Sequence, residues 1–177
     1  MATARNAEAA HDLPMSTTKV ANLVLTGEMR FEATVGGGQS VVIDDGPDAE
    51  GPSPASLVGV ALGGCTAMDV ISILRKKRQQ VTGYEVRVTG LQREVRPHAF
   101  IRFDVVHVLD GDLDVEAVRR AIDLSSRKYC SVGSTLASGA TELHHAFLIR
   151  RPDGTEDLGE VLVTGPFMPF EEQVASR

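Results

Sequence analysis

The segment from Ser53 to Gln80, SPASLVGVALGGCTAMDVISILRKKRQQ, places the tightest limit on what this chain can fold into. Ser53-Pro54 reads as a helix start, with Ser at the N-cap and Pro at the first helical position. Arg75, Lys76, Lys77 and Arg78 supply the cations that suit a helix C-terminus. From Leu57 to Leu74 the predicted helix is apolar on nearly every face, so it has to be buried on all sides, in a domain interior or a subunit interface. Gly63-Gly64 in its middle costs about 1 kcal/mol per residue relative to Ala. Either a close approach of another backbone offsets that cost, or a break sets Cys65 at a new helix N-terminus, where the dipole would favour the thiolate.

Strands are expected on both sides of this helix. Lys19 to Leu25 and Arg30 to Val35 alternate, and Gln39 to Asp44 reads as the return strand of a hairpin turned by Gly36-Gly37-Gly38. No helix follows the glycines, so they are not a phosphate cradle. Asp44 to Pro54 is loop, dense in Gly, Pro and Asp. Beyond the helix, Tyr84 to Thr89 and Ala99 to Leu109 form a pair joined through Arg96-Pro97. Asp114 caps an amphipathic helix to Lys128 whose inner face carries Val115, Val118, Ile122 and Ser125 or Ser126. Ser131 to Ser138 is a further short helix stopped by Gly139, Thr141 to Ile149 is a strand, and Val161 to Val163 adds a short one. Hairpins outnumber βαβ crossovers, so the class is α+β, with antiparallel-rich sheets around a long buried central helix. The expected organisation is a disordered leader over 1–18, one domain over 19–150 and a C-terminal extension over 151–177.

Charge and composition exclude several functions. A net charge of −6 and the lack of Trp among 177 residues argue against a nucleic-acid partner. No segment is expected to reach the roughly 20 apolar residues of a membrane helix, and the first residues hold no apolar core of a secretory signal. The cytoplasm is the expected compartment. Thiols stay reduced there, so Cys65 and Cys130 are buried apolar residues, ligands or redox groups rather than a structural staple. Arg127 and Lys128 precede Cys130, and their charge would favour its thiolate. A zinc site would need His or more Cys at ligand spacing. His144 and His145 point to opposite faces of a strand and His107 is isolated, so all three read as exposed or hydrogen-bonded strand residues and no metal is expected.

The helix with GGCTAMDV and the later KYCSV together resemble the OsmC/Ohr family, in the right order and with strands before, between and after them. The resemblance spans roughly Lys19 to Arg150. It implies an intertwined homodimer around two central helices, and a thiol-dependent peroxidase that prefers organic hydroperoxides and serves in oxidative-stress defence. By that pattern Cys65 attacks the peroxide and becomes a sulfenic acid, Cys130 resolves it to a disulfide, and an external dithiol restores both without a cofactor. Better-studied members carry a glutamate ten residues before the first cysteine, paired with an arginine from the N-terminal hairpin. Ala55 stands at that position here. Glu50 in the loop nearby is then the candidate acid, and Arg30 the candidate arginine, although Arg30 is equally a solvated strand residue. Asp69, four residues after Cys65, shares its helix face. A bare carboxylate there would hold the thiol pKa up, so Asp69 is expected to have a cationic or hydrogen-bonding partner, with Arg30 or Arg127 as candidates. The alternative function is a non-catalytic binder of small hydrophobic ligands, or a redox sensor, on the same dimeric scaffold.

Overall fold

The 23-residue helix anticipated from the apolar stretch forms without interruption over Pro54–Lys76 (α1), through both glycines, in a computed structural model that describes residues 17–166. Gly63 lies on the side of α1 that meets a strand: a Cβ there would stand 3.0 Å from Val88 and 3.8 Å from Val86. Close approach, rather than a break in the helix, is therefore what offsets the glycine at 63. Cys65 sits mid-helix and not at a helix N-terminus.

Three strands precede α1. β1 (Ala21–Leu25), β2 (Phe31–Val35) and β3 (Ser40–Ile43) form an antiparallel meander in which Ala21 faces Val35 and Phe31 faces Ile43. Gly37 and Gly38 adopt positive φ between β2 and β3, which makes the triple glycine the expected hairpin turn. After α1 come β4 (Gly83–Gln92), β5 (Phe100–Asp110), α2 (Val115–Leu124), α3 (Ser131–Ala137), β6 (Glu142–Arg150) and β7 (Glu156–Thr164). They build a four-stranded sheet in the order β4-β5-β6-β7, antiparallel except for the β5–β6 pair, which α2 and α3 connect. The class is α+β, as expected.

The described chain divides into two compact units, one up to Pro54 and one from Ala55, where the sequence had shown no boundary. The sheet also runs past residue 150, because β7 is nine residues long and pairs with β6 along its whole length. The expected leader falls mostly on 1–16, outside the described residues, as does the end of the C-terminal extension, 167–177.

Two expectations about α1 are corrected. It does contain an 18-residue stretch of mean hydropathy 1.9, long and apolar enough to cross a membrane by length and composition. Nor is it buried all round. Only Leu62, Gly63, Thr66, Val70 and Leu74 are buried, at the i, i+4 spacing of one helix face, while Val60 and Met68 are well exposed. That buried face packs on the second unit's sheet, so part of the apolar length serves internal packing. Two apolar clusters result. One joins Leu62 to Phe103, Val105 and Leu143; the other joins Val70 and Leu74 to Leu109, Ile122, Phe147 and Ile149. Between them α1, β5 and β6 each contribute a buried polar residue: Thr66, His107 and His145.

Candidate active site

Cys65 and Cys130 come together. Their sulfurs and a carboxylate oxygen of Asp69 all lie within 4.8 Å of one another, and both cysteines are free thiols. Cys65 and Asp69 reach this point because positions i and i+4 of α1 share a face. Cys130 arrives by another route. Where α2 ends, the backbone widens into a single π-turn over Ser125–Tyr129, closed by the Cys130 amide donating to the Ser125 carbonyl at 2.8 Å. Such turns insert one residue into a helical path and recur at functional sites. Cys130 then becomes the N-cap of α3, its sulfur accepting the Gly133 amide at 3.2 Å. Gly133 leaves room for this, since a Cβ there would stand 3.2 Å from that sulfur.

The two thiols differ. Cys65 is half-buried and Cys130 buried. Burial, together with a hydrogen bond to Cys65, pushes the Cys130 thiol up to about 12, against the opposing pull of the Gly133 amide. The expectation that Arg127 and Lys128 would lower it fails. Arg127 is held by Asp123 at 2.8 Å and Lys128 lies over the Tyr129 ring, so desolvation dominates.

Asp69 has the hydrogen-bonding partner that was expected, though not an arginine. Ser125 Oγ donates to Asp69 Oδ2 at 3.0 Å, and the Thr66 hydroxyl lies 3.0 Å from Ser125 Oγ. With the Ser125 proton committed to Asp69, Thr66 must be the donor to Ser125. Burial raises the Asp69 pKa and the Ser125 hydrogen bond partly offsets the rise. Arg30 pairs instead with Glu50, at 3.4 Å, within the first unit, where Asp44 also accepts the Gly46 and Glu50 amides.

Sequence reasoning assigned no site role to Thr66, Tyr84 or Gly133, and placed Ser125 only on the inner face of its helix. Thr66 carries a usable signal, as the polar member of the row Leu62-Thr66-Val70-Leu74. Tyr84 hydrogen-bonds His107 Nδ1 at 2.7 Å, and burial, then the Asp69 charge, raises its pKa. His145 corrects the reading of the histidines: it is buried, and neither ring nitrogen has a hydrogen-bond partner among the described residues. A groove of about 490 Å³ runs between α1 and β4 past Val60, Gly63, Gly64, Tyr84 and Val86, beside the turn that carries Cys65.

Comparison with known proteins bears on family and fold. The model of the OsmC-like protein family matches residues 46–145. Protein YhfA of Escherichia coli is 41% identical over 108 residues, covering 60% of this chain and 81% of that protein. The crystal structure of a hypothetical protein from Aquifex aeolicus is 27% identical, with a TM-score of 0.70 over 77% of this chain and 98% of the other. An organic hydroperoxide resistance protein from Elizabethkingia anophelis shares the fold at 10% identity, with a TM-score of 0.56 over 78% and 96% of the two chains. With the family model matching more than half its length, the chain belongs to the OsmC-like protein family.

Proposed function

We propose that this protein is a thiol-dependent peroxidase that reduces organic hydroperoxides, and hydrogen peroxide more weakly, in cytoplasmic oxidative-stress defence. The observation that carries the reading is the meeting of the Cys65 and Cys130 sulfurs, within 4.8 Å, from two separate parts of the chain. Closing them to a disulfide of about 2.05 Å needs less than about 3 Å of travel shared by two side chains.

The environments of the two thiols support a division of roles. Cys65 is the more accessible thiol, and its neighbour Gly64 lines the groove, so Cys65 attacks the peroxide. Its thiolate attacks the distal peroxide oxygen and the O–O bond breaks; the sulfur keeps that hydroxyl as a sulfenic acid, and the departing alkoxide takes up a proton from solvent to leave as alcohol. Cys130, buried and held protonated, is a poor first nucleophile and serves as the resolving thiol. It attacks the Cys65 sulfenic acid, forming the disulfide. Asp69 accepts the Cys130 proton and returns it to the departing hydroxide, giving water. An external dithiol then reduces the disulfide by exchange. Arg30 and Glu50 are assigned the activating role implied by the family resemblance, and no bound cofactor enters the cycle.

Exposed apolar residues support a homodimer. Val60 and Met68 on α1 in the second unit, and separately Leu23, Val24 and Leu25 on β1 in the first, are each more than half exposed, and exposed apolar patches of this kind mark interfaces.

The test is peroxide consumption from cumene hydroperoxide in the presence of a dithiol. Cys65→Ser is expected to abolish turnover, and full activity in that variant would sink the reading. Cys130→Ser should allow one round of oxidation and leave a sulfenic acid that a dimedone probe traps. Arg30→Gln should slow the first oxidation if Arg30 activates Cys65. A second reading, a binder of small hydrophobic ligands, is favoured by the groove beside α1. It predicts a co-purifying ligand in native mass spectrometry and thiols without peroxide turnover.

A further inference from the structure

We propose that, in its reduced form, the protein binds one thiophilic divalent cation, Zn2+ being the representative case, through Cys65 Sγ, Cys130 Sγ and an Asp69 carboxylate oxygen, with the fourth position open. The proposal shares the dithiol of the peroxidase reading and rests on that reading only for its regulatory meaning; ion binding itself requires no turnover.

Distance is the first argument. Around a tetrahedral zinc with Zn–S near 2.3 Å and Zn–O near 2.1 Å, neighbouring donor atoms stand roughly 3.5–3.8 Å apart. The three donors here already lie within 4.8 Å of one another, so side-chain adjustments suffice. Charge is the second. The described residues provide no arginine or lysine for Asp69: Arg127 is engaged by Asp123 and Arg30 by Glu50. Asp69 therefore has no cation of its own among the described residues, and an ion that displaces the thiol protons would itself offset the charge of the carboxylate and the thiolates it creates.

Outer contacts supply the third argument. Ser125 holds Asp69 Oδ2, and Thr66 holds Ser125, the kind of second layer that orients ligating carboxylates. The Gly133 amide donates to the Cys130 sulfur, a hydrogen bond that a ligating sulfur can keep. The donor set then selects the metal. Two thiolates and one carboxylate suit zinc and exclude magnesium and calcium, which take oxygen ligands. Cys65 is only half-buried, which gives the ion a way in.

Each ligating thiol that starts protonated must release its proton, so affinity should rise with pH. The bound ion would occupy both sulfurs and hold the enzyme in a protected, inactive dithiol state. Oxidation to the disulfide removes both thiolate ligands and would expel the ion.

The experiment titrates reduced, chelator-treated protein with Zn2+ against a chromophoric competitor near neutral pH. A parallel titration with Co2+ reads the near-ultraviolet sulfur-to-metal charge-transfer band. The expected result is one ion per chain, a charge-transfer band that is lost in Cys65→Ser and Cys130→Ser, and an affinity at least about tenfold weaker in Asp69→Asn. Ser125→Ala keeps all three ligands and should retain the stoichiometry with weaker binding, which separates ligand loss from misfolding. Zinc binding of undiminished strength in Asp69→Asn, or in the disulfide form, would overturn the proposal. Turnover measured with a chelator present isolates the two readings. Activity without zinc binding removes only this inference, and zinc binding without activity removes only the peroxidase.

Discussion

The dithiol end of the core and the histidine layer beside it are both buried polar regions, and they are built in opposite ways. Around Asp69 the polar groups form a closed chain, Thr66 to Ser125 to carboxylate. In the histidine layer His107 has one partner, Tyr84, while His107 Nε2 and both nitrogens of His145 have none among the described residues. The rings of the two histidines lie 6.5 Å apart. A satisfied buried network positions its members, whereas an unsatisfied one is a reservoir of instability. The two regions also respond to pH with opposite sign.

Burial holds the folded-state pKa of His107 down to about 3 and that of His145 to about 4, from 6.5. Both are neutral in the fold, and the unfolded chain binds their protons first as pH falls. The stability they permit is complete above pH 6.5 and is lost through the window from 6.5 toward 3. The expected loss is on the order of several kcal/mol, the largest effect predicted here. Urea unfolding midpoints at a series of pH values would measure it. His145→Leu removes two orphaned nitrogens and one of the titrating groups, so its acid limb should be markedly shallower. An unchanged slope in that variant would break the comparison.

Asp69 runs the other way. Its folded-state pKa is raised, so the folded state binds that proton more tightly, and the associated stability is greatest at low pH and declines as pH rises through the folded pKa. Ser125→Ala strips the carboxylate of its donor and Thr66 of its acceptor. The expected cost is about 1–3 kcal/mol, larger in alkaline than in mildly acidic buffer because the charged carboxylate depends most on Ser125. A penalty that shrinks with rising pH would show that Ser125 does not serve the ionised form.

Much of this comparison lay beyond the sequence. The apolar helix, the glycine hairpin, the β4–β5 pair and the Asp114 cap were legible, because periodicity and turn chemistry are local. The meeting of Cys65 and Cys130 came only from the paired motifs, since a separation of 65 positions has no chemistry of its own. The π-turn was not legible: Ser125 and Ser126 continue the α2 pattern, and the extra residue appears only as a phase slip. β7 was shortened to three residues because Glu156, Asp157, Gly159 and Glu160 mask its alternation. Gly159 has a packing reason: a Cβ there would meet the Phe147 ring at 3.2 Å and Arg119 at 2.6 Å, where Arg119 lies 5.0 Å above that ring.

Gly133 offers the finest test. It is a helical glycine without a positive φ, so exchange for alanine would ordinarily gain about 1 kcal/mol in helix propensity. Here the added methyl group would press on the Cys130 sulfur at 3.2 Å and make ordinary contact with the Leu143 side chain at 3.6 Å. The two effects oppose each other, so the net stability change in Gly133→Ala should be below about 1 kcal/mol. The sulfur, however, must give way by a few tenths of an ångström, which disturbs its hydrogen bond with the Gly133 amide. Disulfide formation after a single equivalent of peroxide should therefore change rate while the melting temperature barely moves, as stopped-flow mixing and thermal unfolding would record. A variant that alters stability strongly and leaves the disulfide rate untouched would place Gly133 in the packing of α3 rather than in the geometry of the sulfur.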